Sequence, residues 1–153
     1  MRPDLRQSLV MIAEATAQAS NPWWIIGSAA VSLHGAHVPD IKDVDVLMSE
    51  SDAERVLQKL GLGSRPPTSS NMFRSSAFGT WTGPPLPVEI MGNLKLATPA
   101  GWCLVRPKTR EAVTVDGHRL FVPAAGELIA LLRSFGRPKD LIRARLLETR
   151  SRP

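Results

Sequence analysis

Apolar and polar residues alternate along the chain in two rhythms, one typical of helices and one typical of strands. Apolar residues recur three or four positions apart in the helical segments, whereas the strand segments alternate residue by residue or form short β-prone runs. The predicted helices span 4–19, 29–33, 51–60 and 123–132, with a last helix that begins at Pro138. The predicted strands span 23–26, 43–48, 72–81, 87–91, 102–105, 112–115 and 119–122.

Glycine, proline and serine mark the boundaries between these segments. Gly27 stops the first strand, and Ser28 is the expected N-cap of the short helix that follows. Two segments rich in these residues, 61–70 and 82–87, predict loops on either side of one strand. Because helices and strands are mixed along the chain without an internal repeat, we predict an α+β (α/β-like) fold with helices flanking a small mixed sheet.

Length and composition narrow the class of protein. The 153 residues predict one domain over 1–153, and 43% hydrophobic against 22% charged residues is typical of a folded globular protein. No apolar run approaches the roughly 20 residues of a membrane-spanning helix, and no secretory signal pattern is present, so we expect a cytoplasmic protein. The single cysteine, Cys103, cannot form an internal disulfide, and we expect it to be buried.

The net charge of +5 comes from the last third of the chain, where basic residues outnumber acidic ones. Their helical spacing is typical of a solvated helix face. A second interpretation stays open, because such a surface also attracts nucleotide phosphates or a nucleic-acid backbone. Nucleic-acid binding has no other support in the sequence, because aromatic and basic residues are not interleaved there.

Two aspartates in the second predicted strand carry the first chemical signal. Asp43 and Asp45 are two positions apart, so their side chains share one face with Cα atoms about 6.5 to 7 Å apart. Two such carboxylates repel each other and are costly to bury without a counter-ion. A divalent cation such as Mg²⁺, which prefers hard oxygen ligands, supplies that charge. Upstream, Gly27 lets the backbone approach a phosphate, and the Ser28 hydroxyl and nearby N–H groups favour an anion.

These residues resemble the minimal nucleotidyltransferases of the DNA polymerase β superfamily, in particular the branch of antibiotic nucleotidyltransferases and abortive-infection nucleotidyltransferase toxins. The resemblance is carried by Gly27 and Ser28 and by the D-x-D of Asp43 and Asp45. It implies a nucleotidyltransferase fold, with the triphosphate held at the Gly-Ser turn and the metals bound by the two aspartates. It also implies a third carboxylate on a later strand, which Glu89 supplies in this sequence.

A second segment with this resemblance opens the last predicted helix. Arg137, Lys139 and Asp140 are similar to an R-x-K-D segment in which the lysine reaches the triphosphate, which implies that Lys139 contacts the nucleotide. The middle of the chain resembles nothing in the family, although Phe78 and Trp81 there are candidates to line a pocket.

The implied reaction is transfer of a nucleoside monophosphate from an NTP to an acceptor hydroxyl. Asp43, Asp45 and Glu89 would bind two Mg²⁺ ions and act as the catalytic residues, while Gly27, Ser28 and Lys139 would bind the nucleotide. The expected partners are an NTP and an unknown acceptor, which could be a small molecule, a tRNA or a protein. A second copy of the chain could complete the site as a homodimer, and no membrane partner is expected.

An alternative function stays open at this point. The same fold could serve as a non-catalytic module that binds a nucleotide or a partner protein, for instance as an antitoxin or scaffold. Glu89 could instead be an edge-strand charge that deters aggregation, although the catalytic role is favoured.

Overall fold

Five helices and nine strands make up the parts of the chain that the computed structural model describes, residues 1–64 and 70–150. The helices are α1 (Pro3–Ala15), α2 (Gly27–Leu33), α3 (Glu50–Lys59), α4 (Ala125–Phe135) and α5 (Pro138–Glu148). The strands are β1 (Trp24–Ile26), β2 (Val44–Met48), β3 (Phe73–Arg74), β4 (Ala77–Trp81), β5 (Val88–Gly92), β6 (Lys95–Thr98), β7 (Gly101–Leu104), β8 (Glu111–Val115) and β9 (His118–Val122).

A four-stranded mixed sheet in the order β1-β2-β5-β4 forms the centre of the fold. Strands β2 and β5 are parallel, and the two outer pairs are antiparallel. The parallel register sets Asp45 of β2 beside Glu89 of β5, and the antiparallel register sets Ile26 of β1 on the other side of Asp45. Two further sheets are smaller, with the order β3-β6-β7 and the hairpin β8-β9.

The two faces of the central sheet pack into two separate cores. The larger core takes alternate residues of β2 and β5 together with most of the helical apolar residues. The smaller core takes the strand residues between them and Phe135 at the end of α4. Val46 therefore faces the larger core, whereas Leu47 and Met91 face the smaller one. Because side chains alternate along a strand, Asp45 and Glu89 share the face of Leu47 and Met91.

Helix α3 packs closely against β4 and β5 because a glycine leaves room for it. A Cβ atom at Gly92 would lie 2.8 Å from the Cβ of Ala53 in α3 and 3.1 Å from the Cα of Glu50. Such distances are too short for any side chain, so glycine at this position allows the helix to approach the sheet. Within the described residues, no helix is long and apolar enough to cross a membrane.

The fold confirms the predicted α+β class with helices beside a small mixed sheet, while several element boundaries differ. Helix α2 begins at Gly27 with Ile26 at the N-cap position, so the prediction that Ser28 caps this helix is wrong. The single strand expected over 72–81 is two strands in different sheets, β3 and β4. The first helix ends at Ala15, and the Thr16 hydroxyl donates to the Ile12 carbonyl there.

Two smaller differences concern strand β6 and Cys103. Strand β6 is not among the predicted strands, because its four residues are too few to show a clear alternation. Cys103 is exposed rather than buried, because it lies on β7 at the edge of a small sheet. In the loop expected over 61–70, residues 65–69 lie outside the described part of the chain.

Candidate functional site

Three carboxylates meet at one end of the β2-β5 pair. Asp43 lies just before β2, Asp45 is in β2, and Glu89 is the register partner of Asp45 in β5. One carboxylate oxygen from each residue lies within 4.8 Å of the other two. All three side chains are half-buried. The sequence prediction that these carboxylates converge is therefore confirmed, and their roles in binding and catalysis stay predictions.

The electrostatics of this trio favour a bound cation. Burial, followed by the negative charges of Asp43 and Glu89, raises the pKa of Asp45 to about 7, although Lys139 and Arg137 oppose the shift. Burial and the charge of Asp43 likewise raise the pKa of Glu89. A raised carboxylate pKa means that the ionised form is poorly hydrated and that too little positive charge surrounds it. The three oxygen donors therefore fit a hard divalent ion such as Mg²⁺, which one or more carboxylates bind together with water and phosphate oxygens.

Gly27 lies directly against this trio. Its φ of +72° is a left-handed conformation that L side chains rarely adopt, and a Cβ atom there would lie 3.0 Å from Oδ2 of Asp45. Glycine is thus required both by the backbone and by the closeness of the carboxylate. Ser28, by contrast, is buried inside α2 with only 4% of its surface exposed, and it does not line the adjacent cleft. Its predicted contact with nucleotide is untested.

The first turn of α5 lies across a cleft from the three carboxylates. An ion pair between Arg137 and Asp140 holds this turn in place. The Arg137 guanidinium donates from Nε to Oδ2 of Asp140 at 2.6 Å and from Nη2 to Oδ1 at 3.1 Å. The Arg137 backbone N–H also donates to Oδ2 of Asp140 at 3.3 Å, and this carboxylate is buried. Lys139 lies between the two residues of this pair. Its exposed ammonium is therefore carried on a rigid turn.

The carboxylates and this turn enclose a polar cleft of about 410 Å³. Gly27, Asp43, Asp45, Glu89 and Lys139 all line it, so the structure brings together every predicted site residue except Ser28. The sequence reasoning missed three charged residues that also line the polar cleft. They are Asp40, Lys42 and Arg143. No motif marks them, since they lie in a loop before β2 and on the outer turn of α5.

A second cavity, of about 330 Å³, meets the polar cleft at Asp45 and Glu89. We call it the apolar cavity, because most of its wall is aromatic and aliphatic. Phe78, one of the two pocket candidates in the sequence, lines it. Trp81, the other candidate, packs against the larger core instead. Carboxylates that line both spaces could therefore act on a phosphate from one side and on an acceptor from the other.

No family profile matches the sequence, and no curated protein matches it. Solved structures do match. A candidate nucleotidyltransferase from Thermotoga maritima, TM1012, has a TM-score of 0.78 at 21% identity, over 95% of this chain and 92% of its own. The lincosamide antibiotic adenylyltransferase LnuA, solved with lincomycin bound, has a TM-score of 0.60 at 12% identity, over 97% of this chain and 98% of its own. ANT(2'')-Ia in complex with adenylyl-2''-tobramycin has a TM-score of 0.56 at 14% identity, over 94% and 88%. The chain therefore has the nucleotidyltransferase fold.

Proposed function

We propose that this protein is a Mg²⁺-dependent nucleotidyltransferase that moves a nucleoside monophosphate from an NTP to an acceptor hydroxyl. The observation that carries the proposal is the convergence of Asp43, Asp45 and Glu89 within 4.8 Å, beside Gly27 and across a cleft from Lys139. The fold shared with LnuA, an adenylyltransferase, supports the same reaction class.

Asp43, Asp45 and Glu89 are the residues that would hold the metal, as two Mg²⁺ ions. When bound, such ions neutralise the clustered carboxylates and the charge on the transferred phosphoryl group. Asp45 must lose its proton to serve as a metal ligand. Because its pKa is raised to about 7, the ionised fraction of Asp45 changes most around neutral pH. Metal affinity is therefore expected to fall as the pH drops below about 7.

The remaining steps use side chains of the cleft. The acceptor oxygen forms a bond to the α-phosphorus while the bond from that phosphorus to the bridging oxygen breaks, and pyrophosphate leaves with the electron pair. Glu89 takes the acceptor proton, a role that fits its place beside Asp45 on the wall of the cleft. The positive charge of Lys139 in the cleft stabilises the negative charge of the leaving pyrophosphate. Gly27 has no side chain and so leaves space for the triphosphate beside Asp45.

The test is transfer of labelled α-phosphate from each of the four NTPs into an extract of small molecules, RNA and protein. Asp45→Asn keeps the shape of the side chain but removes a ligand charge, so transfer should fall by about a thousandfold. Glu54→Gln, an exposed carboxylate change on α3, is the matched control and should leave transfer unchanged. Equal labelling by the parent and Asp45→Asn would contradict the proposed role of Asp45.

A second comparison addresses nucleotide binding. Lys139→Gln should weaken NTP binding, whereas Lys59→Gln on the exposed end of α3 should not. Mg²⁺-dependent NTP binding without transfer to any acceptor would favour the non-catalytic module. The abortive-infection branch, the homodimer, the cytoplasmic location and the single domain over 1–153 stay predictions.

A further inference from the structure

The apolar cavity has the size and wall of a small-molecule site. Its volume of about 330 Å³ lies within the roughly 300 to 1,000 Å³ of ligand pockets. Phe73, Phe78 and Phe135 line it, together with Met91 and Leu94. Aromatic walls of this kind stack on flat apolar rings and offer few partners to a heavily hydrated polar molecule.

The cavity reaches the reacting groups. Asp45 and Glu89 line both the apolar cavity and the polar cleft, so a ligand in the cavity can present a hydroxyl to the carboxylates. Glu89, the proposed proton acceptor, therefore borders both the polar cleft, where the nucleotide would bind, and the apolar cavity.

Two arginines set the charge of the remaining wall. Arg137 stacks 5.0 Å above the Phe73 ring, but its charge is already paired with the buried Asp140. Arg74 stacks 4.3 Å above the exposed Trp102 ring, and within residues 1–64 and 70–150 no carboxylate forms an ion pair with it. Arg74 also lines the apolar cavity, so its positive charge, unpaired within the described residues, is the one nearest to a ligand on the side away from the carboxylates. It attracts an anionic group and repels a cationic one.

We propose that the acceptor is a small hydroxylated molecule with a flat apolar body, held by the phenylalanines of the apolar cavity, and that Arg74 selects an anionic substituent over a cationic one. This inference rests on the proposed function, since it names the acceptor class for the same site. The proposed acceptor differs from the tobramycin in the solved complex of ANT(2'')-Ia with adenylyl-2''-tobramycin. A polycation of that kind would meet the positive charge of Arg74 in this cavity.

The experiment measures binding of 6-hydroxy-2-naphthoate, by its fluorescence anisotropy, to the whole chain in buffer with millimolar Mg²⁺. Neutral 2-naphthol and the polycation tobramycin are the competitors. We expect naphthoate to bind, 2-naphthol to displace it at higher concentration, and tobramycin not to displace it. Displacement by tobramycin at concentrations where 2-naphthol fails would overturn the proposal.

Two pairs of variants locate the bound probe. Phe78→Ala removes a cavity wall and should weaken naphthoate binding by at least about fivefold, whereas Trp81→Ala, on the same strand but in the larger core, should change it by less than about twofold. Equal effects in these two variants would contradict the assigned cavity.

Arg74→Gln should reduce the preference for naphthoate over 2-naphthol, and Arg119→Gln, which removes an arginine stacked on Phe121 outside the cavity, should keep it. Because Arg74 is exposed, this second pair decides the matter even if Phe78→Ala does not fold. An unchanged preference in Arg74→Gln would refute the role of that residue.

The proposed function and this inference fail separately. Transfer of nucleotide to tobramycin, RNA or protein without naphthoate binding would contradict the inference and support the transferase. Naphthoate binding that depends on Phe78, without transfer from any NTP, would support the ligand class and contradict the transferase.

Discussion

Replacing Asp45 with asparagine should stabilise the metal-free protein above neutral pH, although it removes a proposed metal ligand. Asp45 shares its strand face with two other carboxylates that lie within 4.8 Å, and it is half-buried. Asparagine has nearly the same shape but no charge, so the substitution relieves both the repulsion and the cost of burying an ionised group.

The size of this effect follows from the pKa. The folded protein raises the pKa of Asp45 from its ordinary value of 3.8 to about 7. Between these two pH values the folded protein therefore holds a proton that the unfolded chain has released. The free energy of unfolding therefore falls as the pH rises from 3.8 to about 7, by roughly 1.4 kcal/mol per pH unit. The total is about 4 kcal/mol, of which about 3 kcal/mol is lost between pH 5 and pH 8. That loss is a large share of a typical stability of about 5 to 15 kcal/mol.

Urea unfolding with EDTA at pH 5 and pH 8 measures this difference. The parent should lose about 3 kcal/mol more than Asp45→Asn between the two pH values, and Glu54→Gln, the surface control, should behave like the parent. Millimolar Mg²⁺ at pH 8 should stabilise the parent and leave Asp45→Asn unchanged. The same pH dependence in the parent and Asp45→Asn would refute the account of a strained carboxylate trio.

Two further substitutions test close approaches that require glycine. Gly27→Ala should cost about 1 to 2 kcal/mol through its positive φ and, by pushing the Asp45 carboxylate aside, lower Mg²⁺ affinity by about tenfold or more in calorimetric titrations. Gly35→Ala, with positive φ but open space, should cost similar stability without changing Mg²⁺ affinity. Gly92→Ala should destabilise the protein by about 1 to 3 kcal/mol in urea unfolding, because a Cβ atom there collides with α3. Gly126→Ala, with open space on α4, should not destabilise it, and equal effects of these two substitutions would contradict the packing argument.

The sequence could predict those parts of the site that depend on local spacing. Asp43 and Asp45 share a face because they are two positions apart in an extended segment, and Gly27 stops a strand because it readily adopts positive φ. Helix α2 begins two residues before the predicted start at 29, since a left-handed Gly27 already begins the helix and Ile26 takes the N-cap position expected for Ser28.

Features that depend on long-range pairing could not be predicted from spacing. Glu89 joins the aspartates only because β2 and β5 pair in parallel, with more than forty residues between the paired positions. The family resemblance, rather than periodicity, pointed to this residue. The apolar cavity collects phenylalanines from β3, β4 and the end of α4, which no local pattern connects. The segment 72–81 has one β-prone composition, yet its two ends pair with different strands.

The most direct test of the central claim is a crystal of the protein grown with Mn²⁺ and a non-hydrolysable NTP, with anomalous scattering recorded to locate the metal. We expect an anomalous peak among the carboxylates of Asp43, Asp45 and Glu89, with the triphosphate between it and Lys139. A well-ordered nucleotide elsewhere on the protein, or a nucleotide in the cleft without metal at these carboxylates, would contradict it.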